Sequence, residues 1–129
     1  MTASEDISPP KTTRQRGSDV LVVDPDAGVR RVITLVLQEV GCVTHTAPDA
    51  ETALKLMDEV DPVLVVAEVR LPQMGGVELV KRIRERDAPA PRVLLMSAYP
   101  RPAEARVPFM PKPLRFDELL EIAREAMTP

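Results

Sequence analysis

Residues Val63–Gly76 read VLVVAEVRLPQMGG, and this stretch decides the fold. The apolar run Val63–Ala67 shows no alternation, which suits a strand buried on both faces of a parallel sheet. It ends on a single carboxylate, Glu68, and the turn that follows holds Leu71-Pro72 and the pair Gly75-Gly76. Val77, Val80 and Ile83, with Leu79 beside them, then recur at helical spacing.

The same alternation extends in both directions. Val20–Val23 is a short apolar strand stopped by Asp24-Pro25-Asp26. Val29, Val32, Ile33, Val36, Leu37 and Val40 mark a helix that Gly41 ends. Cys42–Ala47 is a second strand, and Asp49 caps a helix marked by Ala50, Ala53, Leu54 and Met57. Asp61-Pro62 turns the chain into the Val63 strand, and the Pro89–Pro91 turn leads into Arg92–Met96. After the segment Val107–Met110, Phe116, Leu119, Leu120 and Ala123 mark a final helix. Strands alternating with helices predict an α/β fold with a five-stranded, doubly wound parallel sheet. Any site then lies at the carboxyl ends of the strands. Asp24, Glu68 and Ser97 each stand where a strand ends, and Lys112 follows the last one, so four polar residues converge on one edge.

Composition bounds the function. The 129 residues are enough for one domain with a core. Residues 1–18, polar and without periodicity, read as a disordered tail, leaving 19–129 as the folded domain. A net charge of −3 argues against nucleic-acid binding. No run is apolar for long enough to span a membrane, and the first residues carry no apolar core of a secretory signal. A cytoplasmic protein is expected. The one cysteine, Cys42, excludes an internal disulfide and reads as a small buried residue. The one histidine, His45, falls away from the converging residues and reads as structural.

Phosphoryl transfer to a carboxylate needs an oxygen nucleophile, a cation for the equatorial oxygens and fixed donors. In order and spacing, LVVDPD around Asp24, AEVRLPQMGG around Glu68, Met96-Ser97-Ala98 and Met110-Pro111-Lys112-Pro113 together resemble a response-regulator receiver domain (CheY-like) over residues 19–127. The resemblance implies the flavodoxin-like fold and a place in two-component or phosphorelay signalling. It puts Glu68 at the phosphoacceptor position, where the family has an aspartate, and Asp24 in the acidic pocket. It puts Ser97 and Lys112 at the positions that sense the phosphoryl group, and Phe109 at the switch aromatic. It also implies a cis bond at Lys112–Pro113.

Departures from the family's pattern point to changed chemistry. Pro25 replaces an acid that would help hold magnesium, and Asp26 reads better as a helix cap than as a ligand. Glu68 carries one extra methylene, which moves its carboxylate about 1.5 Å further out, toward Lys112 and Ser97. Arg70 adds local positive charge. We therefore expect no cofactor, with magnesium binding weak or absent, and no metal site. The expected function is a stand-alone receiver-like module that is not an enzyme and is not phosphorylated in the usual way. It acts through protein–protein binding, with Glu68 mimicking a phosphorylated state. Its partner would be a signalling protein, either a histidine kinase or an output protein, with a homodimer as a further option and no nucleic acid or membrane. One alternative is a receiver still phosphorylated on Glu68 or Asp24. Another is a small flavodoxin-like enzyme or nucleotide-binding module, disfavoured because no glycine-rich loop follows the first strand.

Between Ala98 and Pro108 stand eleven residues with three prolines, AYPRPAEARVP. The family has a whole helix here. Proline interrupts helices and short ones are marginal, so the fourth helix is expected to be shortened or missing. Its loss would expose sheet around Val93, Leu95 and Phe109 unless Tyr99 and the loop fold over it. Tyr99, Arg101 and Arg106 are the candidate partner surface, each expected to reach outward.

Overall fold

Apolar strands covered on both faces need helices on both sides of the sheet, and the chain supplies them. The computed structural model describes residues 17–128. Strands β1 (Asp19–Val23), β2 (Val43–Ala47), β3 (Leu64–Glu68), β4 (Arg92–Ser97) and β5 (Phe109–Pro111) form one sheet. Its order is β2-β1-β3-β4-β5 and every pairing is parallel. Helices α1 (Ala27–Gln38), α2 (Ala50–Met57) and α3 (Gly76–Arg84) follow the first three strands, and α4 (Phe116–Met127) follows β5. The tail expected over residues 1–18 lies outside the described residues as far as residue 16. Ser18 already joins the sheet, its carbonyl accepting from the Val43 amide at 2.8 Å.

Alternate side chains of each strand point to opposite faces, and each face has its own core. Leu21, Val23, Val65, Ala67 and Leu95 pack against Ala53 and Met57 of α2 and Leu79 and Ile83 of α3. Val20, Val22, Val66, Leu94 and Met96 pack against Ile33 and Leu37 of α1 and Leu119 and Ala123 of α4. Helix α1 starts where Asp26 Oδ1 accepts from the amides of Gly28 and Val29, the capping role read from the sequence. His45 Nε2 lies 3.0 Å from Asp19 Oδ1, bridging β2 to β1. The buried Cys42 thiol lies 3.8 Å from the Met127 sulfur.

No helix joins β4 to β5. Residues 98–108 hold neither helix nor strand, only bends and one turn in which the Ala105 amide bonds to the Pro102 carbonyl at 3.2 Å. Of the two expectations for the sheet beneath, exposed or covered by the loop, the second holds, though not through Tyr99. Ala105 and Val107 are buried in the α2–α3 side core beside Val93 and Leu95, and Phe109 packs partly buried against it. Two small apolar side chains of the loop thus take the place of a helix face. Tyr99 takes no part in that cover and stays 55% exposed.

Candidate functional site

β1 and β3 are neighbours in the sheet, and the chain leaves them toward opposite sides, so their carboxyl ends open a crevice. Asp24 follows β1, Glu68 is the last residue of β3 and Ser97 the last of β4. All three are buried, Asp24 to 1% exposure. Lys112 enters from the turn after β5, where its amide bonds to the Ser97 carbonyl at 2.8 Å. The Lys112–Pro113 peptide is cis, as the resemblance implies.

Lys112 Nζ lies 2.6 Å from Glu68 Oε1 and 2.9 Å from Asp24 Oδ2. The pairing with Glu68 follows the sequence reading; the pairing with Asp24 was not anticipated. The remaining oxygens are also bonded. Asp24 Oδ1 accepts from the Asp26 amide at 2.8 Å, and Glu68 Oε2 accepts from the Arg70 amide at 2.9 Å. Burial alone would lower the pKa of the Lys112 ammonium, but hydrogen bonds and charge from Glu68 and Asp24 outweigh it and hold the pKa above the ordinary lysine value. Outside this cluster, Arg30 donates to the Asp24 carbonyl at 2.6 Å.

Ser97 does not join Glu68, although the sequence placed it within reach. Its Oγ accepts from the Tyr99 amide at 3.2 Å and so fixes the start of the 98–108 loop. Arg70 does not enter the cluster with its charge either. Its guanidinium lies over the Tyr99 ring, 3.9 Å from the centroid, tying the β3–α3 loop to the β4–β5 loop. Arg101, read as part of an outward-reaching surface, is exposed, but its guanidinium is not free of its own loop. It donates to the carbonyls of Ala105 and Val107, each at 3.1 Å, and so clasps that loop. Arg106 is exposed, and its carbonyl accepts from Arg84.

The backbone beneath the site is tight. A Cβ added at Gly76 would stand 2.6 Å from the Glu68 carbonyl oxygen and 2.9 Å from Val69 Cα, so only glycine lets α3 begin this close to β3. Sequence reasoning missed one neighbouring feature. A cleft of about 410 Å³ lies beside Lys112, walled by Val29, Val32, Leu114 and Phe116. Val32 fits the spacing of the α1 core stripe, yet it is exposed. It stands on the stripe's edge, one residue before the buried Ile33.

The description "response regulator receiver domain" belongs to the family model that matches residues 20–124. The chain belongs to this family. The regulatory protein AtoC of Escherichia coli is 31% identical over 115 residues, covering 84% of this chain and 25% of that protein. The transcriptional regulatory protein FixJ of Bradyrhizobium diazoefficiens is 30% identical over 115 residues, covering 84% of this chain and 56% of that one. A solved signal receiver domain of an HD domain-containing protein from Pseudomonas fluorescens matches with a TM-score of 0.77 at 27% identity, covering 84% of this chain and 93% of that one. The chain spans between a quarter and about half the length of the first curated relatives it matches.

A receiver domain of two-component signalling is thus the frame for the site. The magnesium ion that such a domain holds is drawn by several carboxylates whose charge it balances. Here every carboxylate oxygen of Asp24 and Glu68 accepts from a protein donor, Pro25 offers no ligand and Asp26 Oδ1 caps α1. With one ligand position lost to Pro25 and Lys112 already balancing the two carboxylates, the residues do not fit the ion. Among the described residues, no group of three or more His, Cys, Asp or Glu side chains is placed to hold a metal. Nor is any helix among them long and apolar enough to cross a membrane.

Proposed function

We propose that this receiver domain signals by binding a partner protein in one fixed state, with the Glu68 carboxylate standing in for a phosphoryl group and Lys112 holding it. The observation that carries the reading is that Lys112 Nζ holds Glu68 Oε1 and Asp24 Oδ2 together, with a backbone amide on the other oxygen of each carboxylate. A phosphoryl acceptor needs a free oxygen and a cation to balance the incoming charge. Both Glu68 oxygens already face protein donors, and the one ammonium of the cluster is already shared between two anions. In this reading the module is not an enzyme, and it works in the cytoplasm. Its partner is a signalling protein, a histidine kinase or an output protein, met through the surface around Tyr99, Arg101 and Arg106.

The test is to incubate the protein with acetyl phosphate and magnesium and to follow its intact mass. The expected result is no phosphoryl adduct. An acyl phosphate on Glu68 or Asp24 would overturn the reading. In parallel, a partner captured by the native chain should be lost with Glu68→Gln, which keeps the shape and removes the charge.

A further inference from the structure

Resting on the reading that this domain works by binding a protein, we propose that the 98–108 loop, with Arg70 and Arg84 beside it, is a docking surface for an acidic, carboxylate-bearing segment of that partner. The first observation is how the arginines are held. Arg82, Arg86 and Arg92 each pair with a carboxylate, at 3.1, 3.2 and 3.7 Å, and Arg115 pairs with two. Arg70, Arg84 and Arg101 have no carboxylate among the described residues. Arg70 lies on the Tyr99 ring, Arg84 donates to the Arg106 carbonyl, and Arg101 donates to the Ala105 and Val107 carbonyls. A carbonyl or a ring positions a guanidinium without cancelling its charge. The fork keeps further N–H donors for a second acceptor.

The second observation is continuity. Arg70 meets the loop at Tyr99 and Arg84 meets it at the Arg106 carbonyl, with Arg101 in the segment between, so the four arginines lie on or against one loop. Arg101 and Arg106 line an open groove of about 700 Å³ along the loop. Only Glu104 within the loop opposes them. Three prolines stiffen the segment, which lowers the ordering cost of binding. This surface is basic in a chain whose net charge is −3, so it stands out as the complement of an acidic partner. Arginine forks match carboxylates two bonds at a time. A nucleic acid fits less well. The chain's overall charge repels a polyphosphate, and Arg70 already covers one face of the loop's one aromatic ring, which base stacking would need.

The experiment uses the whole chain labelled with nitrogen-15. The arginine Nε–H signals are followed while octaglutamate is added, with octaglutamine and a single-stranded oligodeoxynucleotide as comparisons. Octaglutamate should shift Arg70, Arg84, Arg101 and Arg106 saturably and leave Arg31 and Arg124 in place, although those two also have no carboxylate among the described residues. Added salt should weaken the binding. Arg106→Gln should weaken it about twofold to fivefold, the range for an exposed ion pair, and Glu104→Gln should tighten it by a similar factor. Both substitutions leave the side-chain clasp of Arg101 intact. The proposal falls if these four do not shift, if Arg31 and Arg124 shift equally, if octaglutamine does the same, or if the oligonucleotide binds more tightly. A captured partner indifferent to Arg106→Gln and Glu104→Gln would also overturn it, while leaving the protein-binding reading intact. Failure of the native chain to capture any partner would count against that reading, and the peptide titration would still decide the surface.

Discussion

The strand-end cluster and the 98–108 loop lie next to each other and treat charge in opposite ways. In the cluster, two buried carboxylates close on one ammonium and two backbone amides, so their charge is matched within the protein. In the loop, guanidinium groups rest on carbonyls and a ring, and their charge stays available. The difference follows from burial. Inside, an unmatched charge is costly and every donor must be spent. At the surface, a guanidinium loses little by bonding to a neutral group. The first region holds the positions of the family's site, and the second is the surface proposed above for a partner.

Removing the shared cation should break the comparison most severely. Lys112→Met leaves Asp24 and Glu68 facing each other, buried and without a counter-charge, and should cost about 3 kcal/mol in urea unfolding. The pH dependence carries the same information. The pKa of Lys112 is raised, so its contribution is complete below the ordinary lysine value near about 10.4 and is lost as pH rises through the folded value. The native protein should therefore lose stability on the alkaline side with a component that Lys112→Met lacks. Equal losses in both would mean that the cluster contributes nothing.

The glycine pair tests whether the cluster rests on a rigid floor. Gly76→Ala places a methyl group against the Glu68 carbonyl and Val69 Cα, both backbone, and should cost about 2 kcal/mol. Gly75→Ala meets the Val69 carbonyl at 3.4 Å, close to ordinary contact, and should be far milder. Paired thermal melts of the two variants would show it. A similar loss in both would mean that the floor yields.

The loop's cover over the sheet should be the softer structure. Val107→Ala removes part of the side chain that, with Ala105, stands in for a helix. The loss should be about 1 kcal/mol, at the low end for a buried aliphatic truncation, because an irregular loop can settle into the space. Denaturant midpoints, with the slope unchanged, would check it. A loss several times larger would make the loop part of the core rather than its lid.

How legible these regions were depended on distance along the chain. The strand ends could be read because an apolar run stops at each polar residue, and a parallel sheet brings such stops to one edge. Glu68 and Lys112 could be paired from side-chain length and the family's spacing. The Asp24–Lys112 contact could not, since it joins residues far apart through rotamers that no periodicity encodes. Three prolines revealed the missing helix. What replaced it did not show, because Ala105 and Val107 are two small residues with no repeating pattern around them. Tyr99 was read both as part of the cover and as outward-facing surface; its ring stands exposed, against the Arg70 guanidinium.

That stack gives the smallest expected effect and the sharpest view of how the two regions connect. Arg70 follows Glu68 by two residues and Tyr99 follows Ser97 by two, and each has its amide bonded to the site residue behind it. The stack therefore joins the β3–α3 loop to the loop that lacks a helix. Tyr99→Leu removes the ring and keeps an apolar side chain. An exposed cation–π contact is worth about 0.5 kcal/mol, so global stability should change by about that much and no more. Local opening should respond more clearly. In the variant, amide hydrogen exchange should speed up at Arg70 and at the substituted position itself. It should stay unchanged at Lys112, which is held by the cluster and not by the stack. Faster exchange at Lys112 as well would mean that the two regions open together, and the contrast between a closed site and an independent surface would be lost.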